Sequence, residues 1–277
     1  MYPALFDRFG QTKFQRNLFF SVLLILLLWH INQQPDSEPA ATLPYAPVLK
    51  QYDEAYYRLR LDSLRATFGF QKRYPPEYEL QALLALSQYP ELKRVPIHFQ
   101  KVKQAMPMIA ARPDPLNLFR LRRTWIYNVY MSEEAPEQLS HNLFSRFSFN
   151  AQIGILGHEL AHTLFYQDKA TSDMIVIGMQ YLVSDTYKGK FEQDTDRSAI
   201  AHGLGWQVLE YATHYRRNPR LSAQEIAAID QFYLNPSMVI SYMNSCGFYT
   251  GLPDLKGSTA IPLSSPVSTG KPTSGRL

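Results

Sequence analysis

Two histidines four residues apart, with a glutamate directly after the first, constrain this chain more than any other feature. His158-Glu159-Leu160-Ala161-His162 lies inside a stretch, NAQIGILGHELAHTLFYQ from Asn150, whose apolar spacing reads as a helix with Asn150 as its N-cap. On a helix, residues four apart differ by about 40° around the axis, so both imidazoles point the same way and can share one metal ion. Glu159 lies one step round, placed to reach a water on that metal rather than the metal itself. With seven histidines in the chain, random shuffling would produce this motif on the order of once in a hundred sequences. Gly154 and Gly157 weaken an ordinary helix by about 1 kcal/mol each relative to alanine. Their presence predicts close packing against neighbouring elements.

Zinc needs a third protein ligand and an open fourth position. The extended H-E-x-x-H-x-x-G-x-x-H spacing is excluded, because Phe165 and Asp168 occupy the last two defining positions. Glu192, thirty residues beyond His162, is the strongest candidate, with Asp196 one turn further on the same helical face. An aspartate there can accept the free ring N–H of a metal histidine and fix its tautomer. The competing reading of both acids is simple placement in the first turns of a helix, where the macrodipole favours them. His202 sits about 80° off the Glu192 face and about 15 Å along the axis, so it reads as a packing or transition-state residue. His214 lies about 33 Å along the same axis, out of reach unless the helix breaks. His202, Tyr215 and Tyr242 are the candidates for stabilising an oxyanion.

GHELAHT followed by FEQDTDRSAI resembles the gluzincins, zinc metallopeptidases that pair H-E-x-x-H with a downstream E-x-x-x-D on a second helix. Thermolysin-like enzymes and membrane-associated peptidases of the HtpX and CaaX-processing types share this pairing. The resemblance covers about forty residues, 157–200, and is specific at five positions. It implies a zincin-like α+β domain with a small mixed sheet before a helical active-site region. It also implies zinc held by His158, His162 and Glu192, with Glu159 as general base and Asp196 hydrogen-bonded to a ligand ring. The implied reaction is hydrolysis of a peptide or protein substrate, by an endopeptidase rather than an exopeptidase. A zinc-binding scaffold or assembly protein without catalysis is the rival reading, and the intact Glu159 argues against it. The HtpX and CaaX-processing types carry several membrane spans, and this chain has one at most.

Asn17 to Ile31 reads NLFFSVLLILLLWHI, with Arg8, Lys13 and Arg16 before it and Asp36 and Glu38 after it. Its fifteen residues fall between the about 20 of a spanning helix and the 7–15 or so of a signal core. The charge asymmetry keeps residues 1–16 in the cytoplasm and puts everything after residue 32 outside. The segment reads as a single-pass anchor. A cleaved signal, giving a secreted or periplasmic domain, is the alternative. Residues 32–47 are a Pro-rich linker, 48–252 the catalytic domain and 253–277 a disordered tail rich in Pro, Ser, Thr and Gly. Twenty-eight basic against 24 acidic residues, with no aromatic–basic platform, argue against nucleic acid. The single cysteine, Cys246, excludes an internal disulfide and any Cys-rich zinc module.

Within the domain, Val48–Phe68 is expected as one amphipathic helix and Glu77–Leu86 as a second. Val95–Val102 and Met106–Ala111 are expected as strands. Leu118–Met131 is a further strand, with Trp125, Tyr127 and Val129 on one face and Arg120, Arg122 and Asn128 on the other. It is also the expected strand for pairing with an extended substrate. The cluster Arg120, Arg122 and Arg123 reads as a solvated face. Helices are expected at Met174–Val183, at Phe191–Tyr215 as one long element, at Ser222–Leu234 behind a Ser222/Glu225 capping box, and from Pro236 to about Asn244.

Overall fold

The computed structural model describes residues 44–104, 108–114, 117 and 125–253. The anchor or signal segment at 17–31, the arginine cluster at 120–123 and almost all of the expected tail lie outside the described residues. Among the described residues no helix is long and apolar enough to cross a membrane. The expected linker ends sooner than residue 47. Pro44 packs near Gly203, and the Pro47 carbonyl accepts from Gln88 Nε2 at 3.4 Å.

The first expected helix is two short ones, α1 (Glu54–Arg58) and α2 (Leu61–Phe68), neither with a buried residue. Asp53 starts α1 by accepting from the Tyr56 N–H at 3.0 Å. Tyr52 before it is buried, whereas Leu59, expected on the same apolar face, is 87 % exposed. Asn150 explains why the first helix starts only after Tyr52. It is not an N-cap but a clamp, accepting from Tyr52 N at 2.7 Å and donating to Tyr52 O at 3.1 Å. Both backbone groups of Tyr52 are thereby held outside the helix.

A sheet follows, in the order β1-β2-β4-β3. Its strands are β1 (Lys72–Arg73), β2 (Ile97–Val102), β3 (Ile109–Pro113) and β4 (Tyr127–Ser132). β1, β2 and β4 run parallel, and β3 pairs antiparallel with β4, Ala111 opposite Val129. Trp125, Tyr127, Val129 and Met131 face the core as their alternation predicts. Asn128 does not face solvent. It is buried and accepts from Gln100 Nε2 at 2.7 Å. The buried Lys72 ammonium donates to the carbonyls of Phe70, Leu92, Lys93 and Val95, pinning the turn before β2.

Helix α3 (Glu79–Leu86) is buried over seven of its eight residues and packs on α4 (Phe149–Gln167), which Ser148 caps. Then come α5 (Thr171–Val183) and α6 (Asp185–Ala199). The long helix expected over 191–215 begins earlier, at the Ser184 cap, and breaks in a wide turn at Ile200–Leu204. Gly203 there adopts φ 94°, a conformation that side chains resist. The Tyr249 hydroxyl repairs the break by accepting from Gly205 N at 2.7 Å and donating to Ile200 O at 2.5 Å. The chain continues as α7 (Gly205–Arg216), α8 (Ala223–Phe232) behind the Ser222/Glu225 box, and α9 (Pro236–Cys246) capped by Asn235. Gly154 and Gly157 do mark close packing. A Cβ at 154 would sit 2.4 Å from the Gln207 carbonyl oxygen of α7, and one at 157 would sit 2.3 Å from the Leu204 side chain.

Candidate metal centre

Helix α4 carries His158, Glu159 and His162, all buried, into the interior beside α6. From α6 comes Glu192, 3 % exposed. Its Oε2 lies 3.1 Å from His158 Nε2 and 3.3 Å from His162 Nε2, and the three ligand atoms lie within 4.8 Å of one another. Donor atoms about 2.0–2.1 Å from one tetrahedral ion are themselves roughly 3.3 Å apart. The spacing and the N, N, O donor set therefore suit zinc.

Every far-side atom of this triad is held. Asp196, fully buried, accepts from His158 Nδ1 at 2.8 Å, and its other oxygen accepts from Leu234 N at 3.0 Å. The Tyr211 hydroxyl also donates to Asp196. His162 Nδ1 lies 3.2 Å from Thr195 Oγ1, which donates onward to Phe191 O at 2.8 Å. The Tyr181 hydroxyl donates to Glu192 Oε1 at 2.5 Å, leaving Oε2 to the histidines. Burial opposes ionisation of Glu192, but the two imidazoles outweigh it and hold the carboxyl well below the usual range. Burial likewise opposes charge on His158. Asp196 and Glu192 outweigh that and hold the ring well above the usual histidine range.

Glu159 is one residue round. Its Oε2 accepts from the backbone N–H of Ala111 at 2.5 Å, tying the motif to strand β3. Burial pushes its carboxyl above the usual range. His158 and Glu159 open onto a cavity of about 200 Å³. Met108, Ile109, Leu139, Ile155 and Ile229 supply apolar walls, and Asn142, Tyr211, Tyr215 and Tyr233 the polar ones.

Of the three expected oxyanion stabilisers, Tyr215 lines this cavity. His202 lies elsewhere, stacked on Tyr89 at 4.3 Å with Nδ1 2.7 Å from Ser198 O. Tyr242 packs on the core from α9. His214 stays out of reach although the helix breaks, stacking on His141 at 4.3 Å. Glu192 lies in the third turn of α6, so the helix dipole does not account for it. Sequence reading missed Thr195, Tyr181, Tyr211 and Tyr233. Thr195 was within reach of helical arithmetic, being three residues past Glu192 on the face that carries Asp196. The tyrosines come from α5, α7 and the end of α8, and no local spacing announces them.

The expected substrate strand needs correction. β4 lies between β2 and β3, so both its edges are taken. β3 is an edge strand, as is β1 at the far side. Asp114 N donates to Ile126 O, and Ser132 N to Met108 O, so its even-numbered residues pair with β4. The N–H and C=O groups of Ile109 and Ala111 therefore point away from β4, toward Glu159. Compared with models of protein families, with curated proteins and with solved structures, the chain matches none.

Proposed function

We propose that this protein is a zinc-dependent metallopeptidase of the gluzincin type, cutting within peptide or protein chains. On this reading residues 17–31 anchor it in a membrane, with the catalytic domain outside the cytoplasm. The observation that carries the catalytic part is the convergence of His158 Nε2, His162 Nε2 and Glu192 Oε2, each with its far-side atom hydrogen-bonded, beside a buried carboxylate that is not part of the triad. His158, His162 and Glu192 would hold the ion. When bound, zinc supplies Lewis acidity and lowers the pKa of water toward about 7. Glu159 takes a proton from the attacking water, whose oxygen adds to the scissile carbonyl carbon. Glu159 then returns the proton to the departing nitrogen as the C–N bond breaks. With the Ala111 N–H held by Glu159, the outward groups of Ile109 and the Ala111 carbonyl offer an extended substrate backbone partners, as in strand addition. Tyr215 and Tyr233 are the hydroxyl donors in the cavity for the developing oxyanion.

Elemental analysis of the full chain, purified without chelator, should find one zinc. An unbiased peptide library should be cut by the wild type. Glu159→Gln should lose about 10²–10⁴-fold in rate while keeping its zinc. Zinc present with no cleavage by either protein would instead establish the scaffold reading. Equal cleavage by both would remove Glu159 as the base.

A further inference from the structure

Helix α5 is apolar on both its inner and its outer side. A helix on a globular domain normally turns its apolar stripe inward and its polar face to water. At about 100° per residue, Ser172, Ile175, Met179, Leu182 and Val183 fall within one arc of about 100°. No charged residue interrupts that arc. Ile175, Leu182 and Val183 on it are 56 %, 84 % and 72 % exposed. The inward side carries the buried Ile177 together with the buried amide Gln180, and Tyr181, which reaches Glu192. At thirteen residues, α5 is too short to span a bilayer, which takes about 20.

We infer that the outer face of α5 docks into the interfacial region of a lipid bilayer, lying in the membrane plane. The tether argues for lipid as the occupant, and the inference rests on the reading of residues 17–31 as an anchor. The apolar run ends at Ile31 and the described domain begins at Pro44. The twelve residues between reach at most roughly 45 Å when fully extended, about the diameter of a domain this size. Pro44 packs near Gly203, just beyond the end of α6. From there α6 runs back about 22 Å to the turn that joins it to α5. The whole of α5 is thus within the tether's reach of the membrane. An in-plane helix buries its apolar face about 5–10 Å into the headgroup and acyl boundary. Because Tyr181 turns inward from the same helix, docking places the metal centre directly behind the lipid-facing surface.

The test uses the full chain with Cys246→Ser as background, reconstituted in phosphatidylcholine–phosphatidylglycerol vesicles. An environment-sensitive fluorophore is attached at Leu182→Cys, at Ile175→Cys or, as control, at Ala66→Cys on the exposed side of α2. The α5 labels should shift to the blue and lose roughly half their emission when the lipids carry brominated acyl chains, while the control stays aqueous and unquenched. Two label positions on α5 guard against one variant misfolding. Labels that remain aqueous while the chain floats with the vesicles would overturn docking and leave the anchor standing. Labels shielded from water but untouched by brominated lipid would mean that a protein surface covers α5, either this chain's own N-terminal residues or a second copy, and would also overturn it. Alkaline carbonate tests the anchor separately. Extraction of a chain whose α5 labels were quenched beforehand would discard the anchor and keep the docking.

Discussion

Each imidazole of the pair presents Nε2 to Glu192 because its Nδ1 is already occupied, by Asp196 for His158 and by Thr195 for His162. A ring held this way has one tautomer and one orientation before any metal arrives. Glu192 is treated alike. Tyr181 holds Oε1, so the carboxylate offers a single oxygen. Tyr181→Phe removes only that hydroxyl. It should weaken zinc binding about 10–100-fold in competition with a chromophoric chelator, the usual cost of losing such a partner. At fixed free zinc its Tm should fall, matching a loss of about 1.4–2.7 kcal/mol, while the two chelated proteins should melt closer together. Unchanged affinity would mean that Glu192 is positioned by α6 alone.

Among the elements, α3 backs α4, the helix that carries His158 and His162 and packs on the sheet through β3, and α2 is fastened to α3 by charge. Arg65 on α2 grips Glu79 at the start of α3 with two bonds, at 2.6 and 2.9 Å. The Arg65 guanidinium holds the Glu79 carboxyl below its usual range, with partial burial acting against it. A carboxyl depressed in the folded state stabilises the protein above its unfolded pKa, which is 4.5. That stability is lost as pH falls through the lower folded value. The Arg65 side chain is 47 % exposed, so water and salt screen the pair. Glu79→Gln should cost about 1 kcal/mol or less at neutral pH. Urea unfolding at pH 7 and pH 3 should show the variant and the wild type converging in acid. A gap that persists at pH 3 would assign the loss to packing instead.

At the scale of the whole molecule, the candidate metal site joins the two halves of the helical layer. His158 and His162 come from α4, which packs on the sheet through β3, while Glu192 and Asp196 come from α6, against which α5 and α8 pack. A ligand that binds only the folded state adds about 4 kcal/mol when present at 1,000 times its Kd. Stripping zinc with a chelator should therefore lower Tm by on the order of 10 °C for a domain of this size. Readded zinc should restore it and magnesium should not, since the donor set contains two imidazoles. Calorimetry showing the same Tm with and without chelator would mean that no metal stabilises the fold.

Whatever depends on positions a few residues apart is legible from the residues alone. One helical turn puts His158 beside His162 and Glu192 beside Asp196. Two-residue alternation turned Trp125, Tyr127 and Val129 inward, and three-residue spacing built the Ser222/Glu225 cap. These are properties of a single helix or strand, so they survive without knowledge of anything else. Tertiary structure decided which periodic segments were interrupted and what they faced. Asn150 has the chemistry of a cap, but Tyr52, 98 residues away, claims its carboxamide. The pattern over 191–215 is continuous, yet the chain breaks at Gly203, where Tyr249 supplies the lost backbone partners. Leu118–Met131 has the alternation of a strand, but alternation does not reveal strand order, and the sheet put β3 rather than β4 at the edge beside Glu159. The tyrosines around the centre belong to the same class. A hydroxyl finds Glu192 or Asp196 only after helices distant in sequence have packed, and that packing is set by summed burial over the whole core rather than by any local rule.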